Sequence, residues 1–328
     1  YIMFFESLCT FLTIFILVPS ALLMRNLEMK AFTQRFLISR VLFFIIAIPL
    51  ALNSFGLWSI VYANLFQVLI SFVLIFHSSR KYLPNKINFN LYRFISLIKF
   101  GFFIMLENLL WNVMTRFFGL MIASFHGAAA LGIYNMATRL ADSVLNVLNT
   151  IITRMALPVF SSVQEDRRKL LFSFQSATLY FNIISMPIFV CMAITADYWV
   201  PMVLGEKWNP IIPVLQIVSI MYSIMYSRMF VGMVVKAVGH SKDFLYLSLS
   251  SAAITILAAF VTRNLTLEDT IFAFAFPRLL VTIPLGIYLL KKICNFSVYS
   301  QISPLNIPVV MTFIIAILIY LTQYTMKN

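Results

Sequence analysis

The chain has 328 residues, 62% of them hydrophobic and only 11% charged, with a net charge of +13 and a mean hydropathy of +0.95. Soluble domains carry about 25% charged residues, so a water-soluble fold would lack the polar surface to cover this much apolar side chain. The basic residues recur in short groups between apolar runs, which excludes the clustered footprint of a nucleic-acid binder and fits loops beside anionic lipid headgroups.

Apolar windows of about 18 residues or more mark about ten spans, at 1–24, 36–52, 57–76, 100–124, 128–157, 171–196, 211–235, 244–261, 270–290 and 305–324. The fold class expected is therefore an all-α polytopic membrane protein. The first span opens at Tyr1 inside an apolar segment, without an initiator Met or a basic leader, so the chain reads as part of a longer protein. Arg25, Lys30, Arg35 and Arg40 follow that first span, and Arg80, Lys81, Lys86, Arg93 and Lys99 follow the third. Basic groups recur at Arg154 and Arg167–Lys169, at Lys236 and Lys242, and at Lys291 and Lys292. The intervening connections are bare, as at 53–56 and Gly127, or acidic, as at Asp197 with Glu206 and Glu268 with Asp269. This alternation orients the basic set towards the cytoplasm.

Local signals punctuate the spans. The polar stretch from His77 to about Lys99, with Pro84, Asn85, Asn88 and Asn90, reads as a linker, dividing the chain into 1–77, 78–99, 100–292 and a last segment at 293–328. Pro158 is expected to end the fifth span, and Ser161–Glu165 offers a capping box for the next helix. Pro187 is expected to kink the sixth span. Asn209-Pro210 places a cap residue before a helical Pro, and Gly239 suits a helix terminus. Cys9, Cys191 and Cys294 are too scattered for a disulfide or metal framework, and His77, His126 and His240 lack ligand spacing. No metal or resident cofactor is expected.

Ionisable groups deep inside spans are costly and usually functional. Arg116, Arg139 and Arg278 lie near the centres of the fourth, fifth and ninth spans. Arg228 lies roughly 8 Å to the cytoplasmic side of the seventh span's middle. Glu107 is nine residues from Arg116, roughly 13 Å along a helix, too far to neutralise it. Arg139 has Asp142 at i+3, so an ion pair on one helix is an open alternative. Snorkelling to the interface is the alternative for Arg228. Asn108, Asn112 and Arg116 repeat every four residues, and Asn135, Arg139, Asp142, Asn146 and Asn149 form a second polar stripe. Two such stripes argue for a shared polar surface; interhelical hydrogen bonding is the plainer alternative.

Several segments together carry a resemblance: Phe100-Gly101, 112–116 and 127–137 (Gly-Ala-Ala-Ala-Leu-Gly-Ile-Tyr-Asn-Met-Ala), with 18–27, 157–161, 204–208 and 237–240. The chain resembles the polysaccharide transporter branch of the multidrug/oligosaccharidyl-lipid/polysaccharide (MOP) exporter superfamily, the Wzx-type lipid-linked oligosaccharide flippases. The family pattern often has an acidic residue where this chain has Thr115. The resemblance implies a two-lobed MATE-like fold, here lacking about three leading helices. On it, 1–77 holds the last three helices of the first lobe, 78–99 is a cytoplasmic linker, and 100–292 is a six-helix second lobe.

A diphosphate matches guanidinium forks in charge and geometry. The diphosphate contacts expected are therefore Arg116, Arg139, Arg278 and Arg228, with Asn108, Asn112, Asn135, Asn146 and Asn149 towards sugar or lining the cavity. Asp142 and Glu107 are candidates for coupling to a proton or sodium gradient or for ion pairing. The expected function is flipping of a lipid-linked oligosaccharide across the bacterial cytoplasmic (inner) membrane by alternating access, without covalent chemistry. By resemblance the carrier is undecaprenyl diphosphate, and partners are membrane lipids, a polysaccharide polymerase and chain-length machinery. The rival readings are a multidrug exporter of the same superfamily, which the mostly basic interior disfavours, and a membrane polysaccharide polymerase or ligase, which the short outer connections disfavour.

Overall fold

A computed structural model describes residues 2–26, 28–82, 90–262 and 265–327. Among the described residues the regular structure is helical, without strands. Eight segments of the described residues are long and apolar enough to cross a membrane, and the one at Gly101–Asn149 is 49 residues long. That segment holds two of the expected spans, and the expected 244–261 span is helix α9, Ser241–Val261. The exterior is apolar along these helices: Phe44, Ile45 and Ile48 are all more than half exposed. Such a surface would aggregate in water and is what acyl chains solvate.

The chain forms two compact units, Tyr1–Asn90 and Leu91–Asn328. In the first, α1 (Ile2–Arg25), α2 (Met29–Leu52) and α3 (Leu57–Ser79) pack mainly through α3. Ile16, Leu23 and Ile75 form its buried centre. Polar ties clasp its ends: Asn64 donates to Glu6 (3.1 Å), and Lys81 and Tyr82 both donate to Glu28. The expected linker 78–99 lies partly outside the described residues. Where it is described it is helical at both flanks, with a 3-10 turn at Arg80–Tyr82 and α4 starting at Leu91.

The second unit begins with α4 (Leu91–Ser162), two helices joined at Gly127, whose φ of 86° and ψ of 171° break the helical path. This φ penalises any residue with a Cβ, so glycine sits at the turn expected there. The chain reverses at this point, because Phe118 and Tyr134 meet edge to face at 5.3 Å. A Cβ placed on Gly119 would also lie 3.6 Å from Leu131. The remaining helices are α5 (Arg167–Ile194), α6 (Ala196–Leu204), α7 (Ile212–Tyr226), α8 (Phe230–Ala237), α9, α10 (Leu267–Cys294), α11 (Val298–Ile302) and α12 (Asn306–Lys327). Phe160, Phe181 and Phe230 interlock in the core, and α12 packs on α5.

Several local expectations are corrected. Pro158 does not end the fifth span; the helix runs on to Ser162, since one missing donor is tolerated where packing holds both sides. The next helix is capped not by Ser161–Glu165 but by Asp166, which accepts from the N–H groups of Arg168 and Lys169. Asn209-Pro210 lies in a 3-10 turn, Glu206–Ile211, and α7 starts after it. Gly239, at φ 88°, ends α8 as expected.

The seventh span is interrupted. Between α7 and α8 the chain tightens into i→i+3 bonds, Met229 N–H to Tyr226 O and Val231 N–H to Arg228 O. The loosened Ser227 carbonyl is taken by the buried Asn182 amide at 3.1 Å. Low-dielectric surroundings demand such substitute partners.

Candidate cavity site in the second unit

Among the described residues the second unit holds two sizeable neighbouring cavities, of about 220 Å³ and 550 Å³. Trp111, Met225, Tyr226, Arg278 and Leu279 line both, so these residues form the shared wall. Arg278 follows Pro277 on α10, and its guanidinium carbon stands 4.2 Å from the centroid of the Trp111 ring. Among the described residues this guanidinium makes no hydrogen bond or ion pair. A charge in such a place needs an acceptor, and a cation–π contact supplies only part of one.

The smaller cavity is aromatic with two charged groups. Tyr134, Tyr222 and Tyr226 line it beside Trp111, Asp142 and Arg278. The Tyr222 hydroxyl donates to Asp142 Oδ1 at 2.9 Å. Asp142 makes no ion pair with Arg139 among the described residues, so the i,i+3 alternative is not realised. Its carboxylate turns to α7 while Arg139 is exposed.

The larger cavity is bounded by α4, α7, α8, α9 and α10. Arg228 and Arg278 supply its positive charge, and Asn108, Asn149, Ser248, Ser251 and Thr282 supply neutral polar groups. Its acid, Glu107, is neutralised by Lys236 at 2.5 Å, with side chains only 15% and 20% exposed. Lys236 also sits 4.7 Å from the Phe244 ring centroid. Arg228 lies at the α7–α8 break, where its Nη2 donates to Gln301 Oε1 at 3.0 Å. Gln301 is fully buried and donates in turn to the carbonyls of Ile287 and Phe296. These donations fix the amide so that its oxygen faces Arg228. Arg228 Nε is buried without a hydrogen-bond partner among the described residues.

The structure thus brings Arg278, Arg228, Asn108, Asn149 and Glu107 to one cavity, and Asp142 with Arg278 to the other. Arg116, Arg139, Asn112, Asn135 and Asn146 are exposed and line neither. On α4 the polar stripe splits: Asn112 donates to the Asn108 carbonyl (2.8 Å), while Trp111, one residue back, reaches the cavities. Sequence reasoning missed Trp111, the three tyrosines, Gln301 and Asn182. Tyr222 and Tyr226, four apart on one helix face, carried a readable signal, because a phenol inside a span needs a polar partner.

Comparison with known proteins places the chain in a family. The family described as "Polysaccharide biosynthesis protein" matches residues 1–213. The chain is 32% identical over 142 residues to the lipopolysaccharide biosynthesis protein WzxC of Escherichia coli K12, an alignment covering 43% of this chain and 29% of that protein. It is 30% identical over 102 residues to the teichuronic acid biosynthesis protein TuaB of Bacillus subtilis 168, covering 31% and 21%. It is 24% identical over 203 residues to the succinoglycan biosynthesis transport protein ExoT of Rhizobium meliloti 1021, covering 62% and 41%. The chain therefore spans less than half the length of these curated relatives. Its fold matches an outward-facing multidrug resistance MATE family transporter of the MOP superfamily, with a TM-score of 0.64 at 14% identity over 79% of this chain and 62% of that one.

Proposed function

The chain belongs to the polysaccharide biosynthesis protein family of multi-pass membrane proteins, and on that premise we propose that it works as a flippase. Its substrate is a lipid-diphosphate-linked oligosaccharide moved from the inner to the outer leaflet of the bacterial cytoplasmic membrane. Relatives named for lipopolysaccharide, teichuronic acid and succinoglycan biosynthesis support a glycan cargo. The observation that carries the reading is the Arg278 guanidinium, which stands at the wall of two cavities without an acceptor of its own among the described residues. Arg228 lines the larger cavity with it, and Glu107 is already neutralised there by Lys236. A doubly cationic, amide-lined cavity suits a diphosphate, whose oxygens accept from guanidinium forks.

Arg116 and Arg139 are kept as contacts on the exposed faces of the Gly127 hairpin. Transport by alternating access needs no covalent step, and a proton or sodium gradient would drive it, with Asp142 and Glu107 as the acidic groups at the cavities. The carrier lipid proposed is undecaprenyl diphosphate, with a polymerase and chain-length machinery acting on the product. The test is flipping of a fluorescent lipid-diphosphate sugar in proteoliposomes, with and without ion gradients. Arg278→Ala and Arg228→Ala are each expected to lower the rate by about tenfold or more, the loss of a charge-assisted hydrogen bond. Undiminished flipping in both variants would remove the site assignment, and no flipping by the unaltered protein would remove the function.

A further inference from the structure

The smaller cavity differs in chemistry from the larger one. At about 220 Å³ it falls below the roughly 300–1,000 Å³ of pockets for drug-sized ligands, so it suits one ring rather than an oligosaccharide. Trp111, Tyr134, Tyr222 and Tyr226 are among the rings that line it, and Tyr222 and Tyr226 meet at 72° to make a corner. Two groups of opposite charge line it. Asp142 uses Oδ1 to accept from Tyr222 and leaves Oδ2 without a hydrogen bond among the described residues. Arg278 leaves its N–H donors without an acceptor among the described residues. One carboxylate and one guanidinium sum to zero, so neither an organic cation nor an acidic sugar is favoured by net charge. Apolar faces with an open acceptor and open donors match a neutral ring that carries C–H groups on its faces and hydroxyls round its edge.

From this geometry we propose that the 220 Å³ cavity is a subsite for a single neutral pyranose ring, with Asp142 accepting and Arg278 donating to its hydroxyls. The inference rests on the flippase reading for its biological meaning. It places the sugar next to the diphosphate across the Arg278–Trp111 wall.

Binding can be measured apart from transport. Saturation-transfer NMR on the detergent-solubilised chain would use three probes: a methyl hexopyranoside, a methyl hexuronoside and a tetraalkylammonium ion. The neutral glycoside is expected to bind, and Asp142→Asn or Tyr222→Phe to weaken it by about tenfold. Tyr222→Phe removes only a hydroxyl and serves as the arm if Asp142→Asn misfolds. The subsite is overturned if the neutral glycoside does not bind, if both variants leave its binding unchanged, or if the uronoside or the ammonium ion binds more tightly. Flipping that persists without glycoside binding overturns the subsite alone. Glycoside binding of the expected pattern without flipping supports the subsite and overturns the transport reading.

Discussion

The guanidinium of Arg278 lies 4.2 Å over the ring of Trp111, and both residues line the 220 Å³ and the 550 Å³ cavity of the second unit. The pair is thus a partition as well as a contact. A planar guanidinium can stack on the indole and still present edge N–H groups to either side. A lysine has no plane to stack, so Arg278→Lys is expected to recover less than about a tenth of the flipping rate although the charge is kept. Trp111→Phe, which keeps an aromatic face, is expected to lose less than Trp111→Leu. Equal rates for arginine and lysine at 278 would show that charge alone matters there.

The ion pair of Glu107 with Lys236 is mostly buried, so breaking it strands one charge. Glu107→Gln is expected to cost about 1–3 kcal/mol of stability. Adding Lys236→Met should recover much of that loss, since the remaining polar burden is then neutral. Thermal unfolding in detergent of the two single variants and the double variant measures the coupling. Strict additivity would mean that the two side chains do not interact in the folded protein.

Gly232 and Phe244 are a close fit: a Cβ on Gly232 would lie 2.4 Å from Phe244 Cζ. Gly232→Ala is expected to displace the ring and destabilise α8 against α9 by about 1–3 kcal/mol. Shortening the neighbour in Gly232→Ala/Phe244→Leu should relieve the clash. Because Phe244 also flanks Lys236, the single variant should weaken the Glu107 pair as well. A thermal midpoint unchanged by Gly232→Ala would refute the steric account.

Gln301 orients Arg228 from a fully buried position. Gln301→Leu removes the acceptor of Arg228 Nη2 and the donor to two carbonyls, and should cost about 1–3 kcal/mol. If Arg228 contacts the diphosphate, the same change should lower apparent substrate affinity more than the maximal rate. Flipping measured over a range of substrate densities separates the two effects.

Acid sensitivity follows from two carboxylates outside the spans. Asp166 is held below the usual carboxylate range by the Lys169 N–H, reinforced by the Lys169 side chain and the Arg168 N–H. Glu28 is lowered by hydrogen bonds from Lys81 and Tyr82. A depressed folded pKa means stability that is fully present above the unfolded value, near 3.9 for Asp and 4.3 for Glu. That stability is lost as pH falls through the lower folded value. Thermal midpoints should therefore drop below about pH 4, and Asp166→Asn should flatten part of the drop. A midpoint that rises on acidification in this range would contradict the sign.

Spans, hairpin and polar residues were legible in the sequence to different degrees. Long apolar runs locate helices because the lipid-facing surface of a spanning helix must be apolar over the thickness of the bilayer, and Gly127 marks a turn because its positive φ excludes most other residues. The break at Ser227–Met229 was not legible, because no Pro or Gly stands at those three positions to mark it. It stands because Asn182, 45 positions away, reaches the Ser227 carbonyl. Asp142 has Arg139 one turn away yet pairs with Tyr222, because its carboxylate is taken by the α7 hydroxyl while Arg139 stays exposed.

The sequence by itself determined an all-helical, multi-pass membrane protein of a polysaccharide-biosynthesis family, with costly charges in its spans. Hydrophobic length and charge alternation are local properties that any packing must respect. Only the tertiary structure decided which of those charges meet a cavity. Arg116 and Arg278 both sit at the centre of an apolar run, but Arg116 is exposed on its helix while Arg278 is turned inward against Trp111. The direction a side chain takes from a helix depends on how that helix is rotated against its neighbours, and that rotation is set by contacts among residues far apart in the chain.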